Sequence, residues 1–295
     1  MFRNPPVKNF LLLSSAATLA AGSVVAATGA ATAAPVMNGD LDDDIRVMSF
    51  NVHHGADGQD VLDLERIAQD IEASDSDIIG LQEVDNHWSS RSDFVDQAAW
   101  LADRLGMHYS YAANLDRDPV DGQPERRQYG TAILSEYPIL DSENHLLTSI
   151  EYAERPTEQR GLLEAVINVD GSHINFYNTH LDHQRSEQRQ SQVKEILAIA
   201  DDSDRPSVLV GDLNAIPSSP EMQDILTEFT DTFAQLGQDE DFTYPVGEPD
   251  RRIDYILTHG DVEVEAAEVI RTMSSDHLPV IADLDVDQAP NGLRK

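Results

Sequence analysis

Toward the C-terminal end of the chain, Ser274-Ser275-Asp276-His277-Leu278-Pro279-Val280 runs an Asp-His pair into an apolar stretch. A carboxylate beside an imidazole is a compact acid/base unit, because the carboxylate orients the ring and raises its basicity near neutral pH. Taken alone, the pair reads equally well as a structural histidine bonded by its neighbour. Five upstream segments shift that balance: Ser49-Phe50-Asn51-Val52-His53, Leu81-Gln82-Glu83-Val84-Asp85, Asn178-Thr179-His180-Leu181-Asp182, Gly211-Asp212-Leu213-Asn214-Ala215 and Arg252-Ile253-Asp254-Tyr255-Ile256. Glu83, Asp212, Asp254 and Asp276, gathered in one crevice, would repel one another unless a cation or shared protons neutralised them. Carboxylate and amide donors without cysteine suit a hard ion, Mg²⁺ or Mn²⁺.

Such residues need a scaffold that brings them together. Short apolar runs at residues 45–50, 78–81, 174–177 and 208–210 read as buried strands, and the polar residues sit at or just beyond their ends. In α/β sheets the crevice outside the strand ends is where ligands bind. The same crevice is therefore the expected meeting point of one Asn, one Glu, one His, an Asp-x-Asn pair, a further Asp and the Asp-His pair.

In this order and approximate spacing, the six motifs resemble the endonuclease/exonuclease/phosphatase superfamily over about residues 45–286. The resemblance implies an α/β fold, a four-layer sandwich of two mostly antiparallel β-sheets packed face to face with helices on the outside, and a divalent-metal phosphoesterase site at one sheet edge. It assigns Glu83 as the first metal ligand, with Asn51 and Asp276 close to the same ion. It makes His277 the general base, oriented by Asp254, and gives Asp212 the task of orienting or helping to activate the attacking water. Asn214 would donate a hydrogen bond to a phosphoryl oxygen, and His180 would stabilise the charged transition state or assist the leaving group. Tyr129 and Arg160 are secondary phosphate-binding candidates, through a hydroxyl and a bidentate fork; a core tyrosine and a surface ion pair are the alternatives. His53 departs from the acidic residue that several branches carry two positions after the Asn. Neighbouring histidines on a strand point to opposite faces, so His53-His54 is not expected to hold one ion without a third partner.

The ends and the charge bear on where the chain works. Arg3 and Lys8 precede an apolar, small-residue stretch from Phe10 through Ala34, the layout of a secretory signal. Its serines, threonines and glycines dilute the apolarity a membrane span needs. The expected division is a signal peptide at 1–34, an acidic segment at 35–44, the phosphoesterase domain at 45–287 and a tail at 288–295. With no cysteine there is no disulfide, and an exported product depends on its core and bound ions. The formal net charge is -34, with three lysines against seventeen arginines. Such a carboxylate-rich surface holds hydrated cations and stays soluble in high salt.

A nuclease that neutralises many phosphates presents a basic groove, but this chain has no Lys/Arg run. Arg126-Arg127, Arg185 with Arg189, and Arg251-Arg252 form at most a collar around the site. Polar loops at 85–93, 113–128 and 238–251 are the expected substrate selectors, and none carries an apolar hairpin for stable membrane insertion. The expected protein is a secreted, salt-adapted, Mg²⁺ (or Mn²⁺) dependent hydrolase that cleaves a phosphodiester by in-line attack of water. Its partner is a phosphate ester: nucleic acid, a phospholipid headgroup or a small diester. A phosphomonoesterase of the inositol- or sugar-phosphate type would use the same site with different loops. A non-catalytic binding module is disfavoured, because every motif keeps a chemically competent residue. Like-charge repulsion favours a monomer.

Overall fold

The computed structural model describes residues 44–286 apart from 155. The expected signal peptide, its cleavage site, the acidic segment up to residue 43 and the C-terminal tail lie outside the described residues. In chain order the elements are β1 (Asp44–Asn51), α1 (Leu64–Ser74), β2 (Ile78–Asn86), α2 (Gln97–Leu105), β3 (His108–Arg117), β4 (Arg127–Ser135), β5 (Ile139–Leu146) and β6 (Gly161–Val169). There follow β7 (Ser172–His180), α3 (Ser186–Ala200), β8 (Ser207–Asp212), α4 (Pro220–Ile225), β9 (Thr230–Asp231), α5 (Thr232–Gln235), β10 (Asp254–His259), β11 (Glu263–Val269) and β12 (Val280–Asp285).

Two six-stranded sheets form, in the orders β11-β12-β1-β2-β4-β3 and β5-β6-β7-β8-β10-β9. Pairing is parallel at β1·β2 and β7·β8 and antiparallel at the other ladders. The central strands read as continuous apolar runs because both faces are buried. Val47, Ile78, Phe176, Val208 and Val210 point into the cluster between the sheets. Their strand neighbours Met48 and Ile79 pack outward with Ile67 and Ile71 of α1 and Leu101 of α2. On the other sheet Tyr177 and Leu209 pack outward with Val193 and Ile196 of α3 and Met222 of α4. The layers are therefore helices, sheet, sheet, helices, the expected four-layer sandwich. No helix among the described residues is long and apolar enough to cross a membrane.

Local chemistry fixes the helices. Leu64, Ile67, Ala68 and Ile71 form an i, i+3, i+4, i+7 stripe, and α1 begins where the Asp63 side chain accepts from Arg66 N–H. Asp96 caps α2 in the same way, and Gly106, at φ 74°, ends it in the left-handed conformation.

Near the site the sheets are joined by polar bonds as well as by packing. Asn178 on β7 donates to the carbonyls of Leu81 on β2 and Ala132 on β4, at 2.9 and 2.8 Å. Gln82 donates to Asn178 Oδ1 at 2.8 Å. Buried groups satisfied across an interface fix its register, since a slip leaves them unpaired. Gly80 permits the close approach: a Cβ there would stand 2.2 Å from Val210 Cγ2 on the facing sheet.

Candidate active site

Strand pairing assembles the deepest part of the site. His180 lies opposite Asp212 in the β7·β8 ladder, and Asp254 lies opposite Asp212 in the β8·β10 ladder, so one lateral row across three strands carries a His and two Asp. Gly211 is required beside it, because a Cβ would meet the Thr179 carbonyl at 2.2 Å. Like charges directly opposite on neighbouring strands destabilise a sheet. His277, brought from the other sheet by the loop before β12, resolves the conflict. Its Nδ1 lies 3.0 Å from Asp254 Oδ2, and its Nε2 lies 3.7 Å from Asp212 Oδ2. Ser275 Oγ holds that loop by donating to the Asn51 carbonyl at 2.7 Å.

Burial sets the electrostatics of this row, for Asp212, Asp254, His180 and His277 are each 5% exposed or less. Burial raises Asp212 to about 7, partly offset by the His277 charge. For His277 burial opposes the charged ring, yet the carboxylates of Asp254 and Asp212 outweigh it and hold the imidazolium up at about 10. Burial, reinforced by the Arg160 charge, drives His180 well below the ordinary imidazole range. It is therefore a neutral ring whose Nε2 lies 3.4 Å from Asp212 Oδ2.

Of the other expected residues, Glu83, Asn214 and Asp276 line the same opening, and Asn51 is buried behind it. Glu83 follows a register shift in β2 between Leu81 and Val84 and has φ 60°; this bulge lifts its side chain out of the strict alternation. Asn51 Nδ2 donates to both Glu83 Oε1 and Asp212 Oδ2 at 3.1 Å, while its Oδ1 accepts from His53 N–H at 3.1 Å. The amide thus clips two carboxylates together, and offering its oxygen to a cation would require turning it over. Asn214 donates its backbone N–H to Asp212 Oδ1 at 2.9 Å and its Nδ2 to the Leu181 carbonyl at 3.1 Å. Asp276 is half-buried, with burial raising its carboxyl above the usual range.

These side chains open onto a cleft of about 710 Å³ lined by Glu83, Tyr129, Arg160, His180, Asp212, Asn214, Asp276 and His277. Its oxygen-rich donor set, part of it raised by burial for want of positive charge, fits a hard divalent cation. Burial holds the Tyr129 hydroxyl protonated, so it remains a hydrogen-bond donor. Arg160 is 2% exposed, not a surface ion pair. Its Nη1 lies 2.5 Å from Glu158 Oε1 and its Nη2 lies 3.1 Å from His183 Nδ1.

Arg91, Glu158, His183 and Tyr244 also line the cleft, and no motif marked them. The sole sequence signal was their place in or beside polar segments next to the motifs. Trp88 lies tilted against Tyr129 with ring centroids 5.8 Å apart and sits among the guanidinium groups of Arg91, Arg117 and Arg127 at 5.7, 5.0 and 5.6 Å.

Two expectations need correction. Arg252 does not belong to a basic collar: it is 1% exposed, and its fork binds Asp231 at 2.9 and 2.8 Å inside the protein. His53 and His54 do not continue a strand; they form a 3₁₀ turn after β1, where both have positive φ and their rings lie 4.4 Å apart. The opposite-face rule fails there because it holds for extended backbone.

Known proteins resemble this chain in sequence and fold. A crystal structure of an endonuclease/exonuclease/phosphatase from Beutenbergia cavernae is 27% identical, with a TM-score of 0.67 over 85% of this chain and 74% of that one. A mannosyl-6-phosphatase from Bacteroides thetaiotaomicron is 18% identical, with a TM-score of 0.61 over 81% of this chain and 99% of that one, a likeness of fold. Protein cwh43 of Schizosaccharomyces pombe is 29% identical over 164 residues, which is 55% of this chain and 15% of that much longer relative. The model of the Endonuclease/Exonuclease/phosphatase family matches residues 48–277, from the strand that delivers Asn51 to the histidine of the Asp-His pair, and the chain belongs to that family.

Proposed function

We propose that the protein is a divalent-metal-dependent phosphodiesterase, exported and adapted to high salt. The observation that carries the reaction is His277, held by Asp254 at one ring nitrogen and turned toward Asp212 with the other, at the floor of an oxygen-lined cleft. Glu83 and Asp276 would hold the cation, with Asn51 keeping Glu83 in place. When bound, the cation supplies positive charge that polarises the phosphoryl group and lowers the proton affinity of His277.

The protein's own groups divide the remaining work. Asp254 fixes the His277 ring so that Nε2 faces the cleft. His277 and Asp212 together take up the proton of the attacking water, Asp212 being poised near neutrality by its burial. Neutral His180 and the Asn214 amide are donors that favour the developing charge on phosphoryl oxygens. Arg160 offers a guanidinium that Glu158 and His183 hold in place.

Hydrolysis of bis(p-nitrophenyl) phosphate and p-nitrophenyl phosphate in molar salt, with Mg²⁺, Mn²⁺ or chelator, tests the assignment. Metal-dependent cleavage of the diester is expected. Cleavage of the monoester alone would move the protein to the phosphatases, and silence on both would leave a demanding substrate or a binding module. Export is supported by the sequence of residues 1–34, and salt adaptation by the net charge of -34.

A further inference from the structure

The turn that carries His53 and His54 does more than leave β1. Both residues have left-handed backbone, at φ 43° and 48°, and Gly55 follows at φ 79°. Side chains that a strand would send apart converge instead, with ring centroids separated by 4.4 Å. Glu83, on its bulge at φ 60°, reaches the same point: one ligand atom from each of His53, His54 and Glu83 lies within 4.8 Å of the other two. Non-glycine residues at positive φ are uncommon and persist where surrounding contacts over-determine them.

We propose that His53, His54 and Glu83 bind a first-row transition dication of the Zn²⁺ or Co²⁺ type, beside the hard-cation position and sharing Glu83 with it. The donor set determines the class. Two imidazoles and one carboxylate are a three-ligand zinc set with a coordination position left open, whereas all-oxygen donors suit Mg²⁺ and Mn²⁺. His54 is 7% exposed, so its ring is withdrawn from bulk water. The Asp57 carbonyl lies 3.3 Å from His53 Nδ1, a backbone partner of the kind that orients ligating imidazoles. Asp276 Oδ1, 3.9 Å from the same nitrogen, adds negative charge beside the site. The site stands on ligand geometry and does not depend on the hydrolytic reading.

Binding tests it directly. Chelator-stripped full-length protein is titrated with Co²⁺ and with Zn²⁺ in molar salt, followed by visible absorption and calorimetry, with and without excess Mg²⁺. A Co²⁺ ligand-field band typical of nitrogen coordination is expected, and it should persist in excess Mg²⁺. His53→Asn and His54→Asn should each weaken binding at least about tenfold to a hundredfold, the loss seen when even an outer partner of a ligand is removed. Asparagine tolerates positive φ, so the turn is retained. His108→Asn, at an exposed position outside the cleft, should leave binding unchanged. Far-UV circular dichroism accompanies each variant, and the partly exposed His53 carries the test if the His54 variant does not fold. Unchanged Co²⁺ and Zn²⁺ affinity in folded His53→Asn, or full displacement of Co²⁺ by Mg²⁺, would overturn the proposal.

Discussion

The two walls of the cleft use similar side chains under different physical conditions. One wall holds His180, Asp212 and Asp254 with His277 between them, all 5% exposed or less. There charges act in a weakly screened medium, and burial moves Asp212 up and His180 down. The other wall holds Glu83, Asp276 and His53, which water reaches in part. Carboxylates of one chemical type are thereby divided by depth. The buried ones are suited to handling a proton, and the open ones to exchanging a cation with solvent.

His277→Ala gives this contrast its hardest test. Removing a general base costs about 10² to 10⁴ in rate, and here added Mg²⁺ should not restore it. Diester hydrolysis measured against metal concentration reads both points. Rescue by metal would mean that the walls are not functionally distinct.

A second contrast separates two arginines that look alike in burial. Arg160 and Arg252 are 2% and 1% exposed, and each has a buried Nε without a partner. Arg160 opens onto the cleft beside His183, while Arg252 is locked to Asp231 in the interior. Arg252→Ala strands a buried carboxylate, so a loss of about 3–5 kcal/mol in denaturant unfolding is expected. Arg160→Lys keeps the charge and loses the fork; it should raise KM for the diester with little change in the unfolding midpoint. A matching stability loss in both variants would show that Arg160 is structural too.

Much of the buried wall was legible in the sequence, because His180 and Asp212 end strands that plain apolar runs mark, Asp254 begins one, and His277 stands just before another. Residues 174–177 and 208–210 announced β7 and β8, and His180 and Asp212 had to lie at their ends. The open wall was less legible. Glu83 depends on a bulge within β2, which a run of apolar residues does not reveal. His53 and His54 depend on a turn with positive φ at residues that carry no glycine signal. The burial of Arg160 and Arg252 was not legible, since a guanidinium is buried or exposed according to its tertiary surroundings: Glu158 is a near neighbour of Arg160 in the chain, but His183 and Asp231 come from distant segments. Local pattern fixes where a strand ends, whereas long-range pairing decides which charges it meets.

Glu83→Gln sharpens the division between the walls from the other side. The amide keeps the shape and the contact with Asn51 but removes a charged ligand, so the Mg²⁺ concentration for half-maximal activity should rise about tenfold to a hundredfold. The rate at saturating Mg²⁺ should fall much less than in His277→Ala. A loss that no metal concentration recovers would place Glu83 with the proton-handling groups.

Salt probes the same contrast with the smallest expected effect. Screening shortens from about 10 Å at 0.1 M to about 3 Å at 1 M, so it reaches the open wall and the acidic surface but hardly the buried row. With a net charge of -34, self-repulsion released by salt should raise the melting midpoint. Each kcal/mol released corresponds to about 2–4 °C in a domain of this size. The Mg²⁺ requirement should rise with salt as the open carboxylates are screened, while the rate at saturating Mg²⁺ stays nearly constant. A midpoint that falls in molar salt would contradict the salt-adapted surface. A saturated rate that tracks ionic strength would mean that the Asp212, Asp254 and His277 row is more open to solvent than its burial indicates.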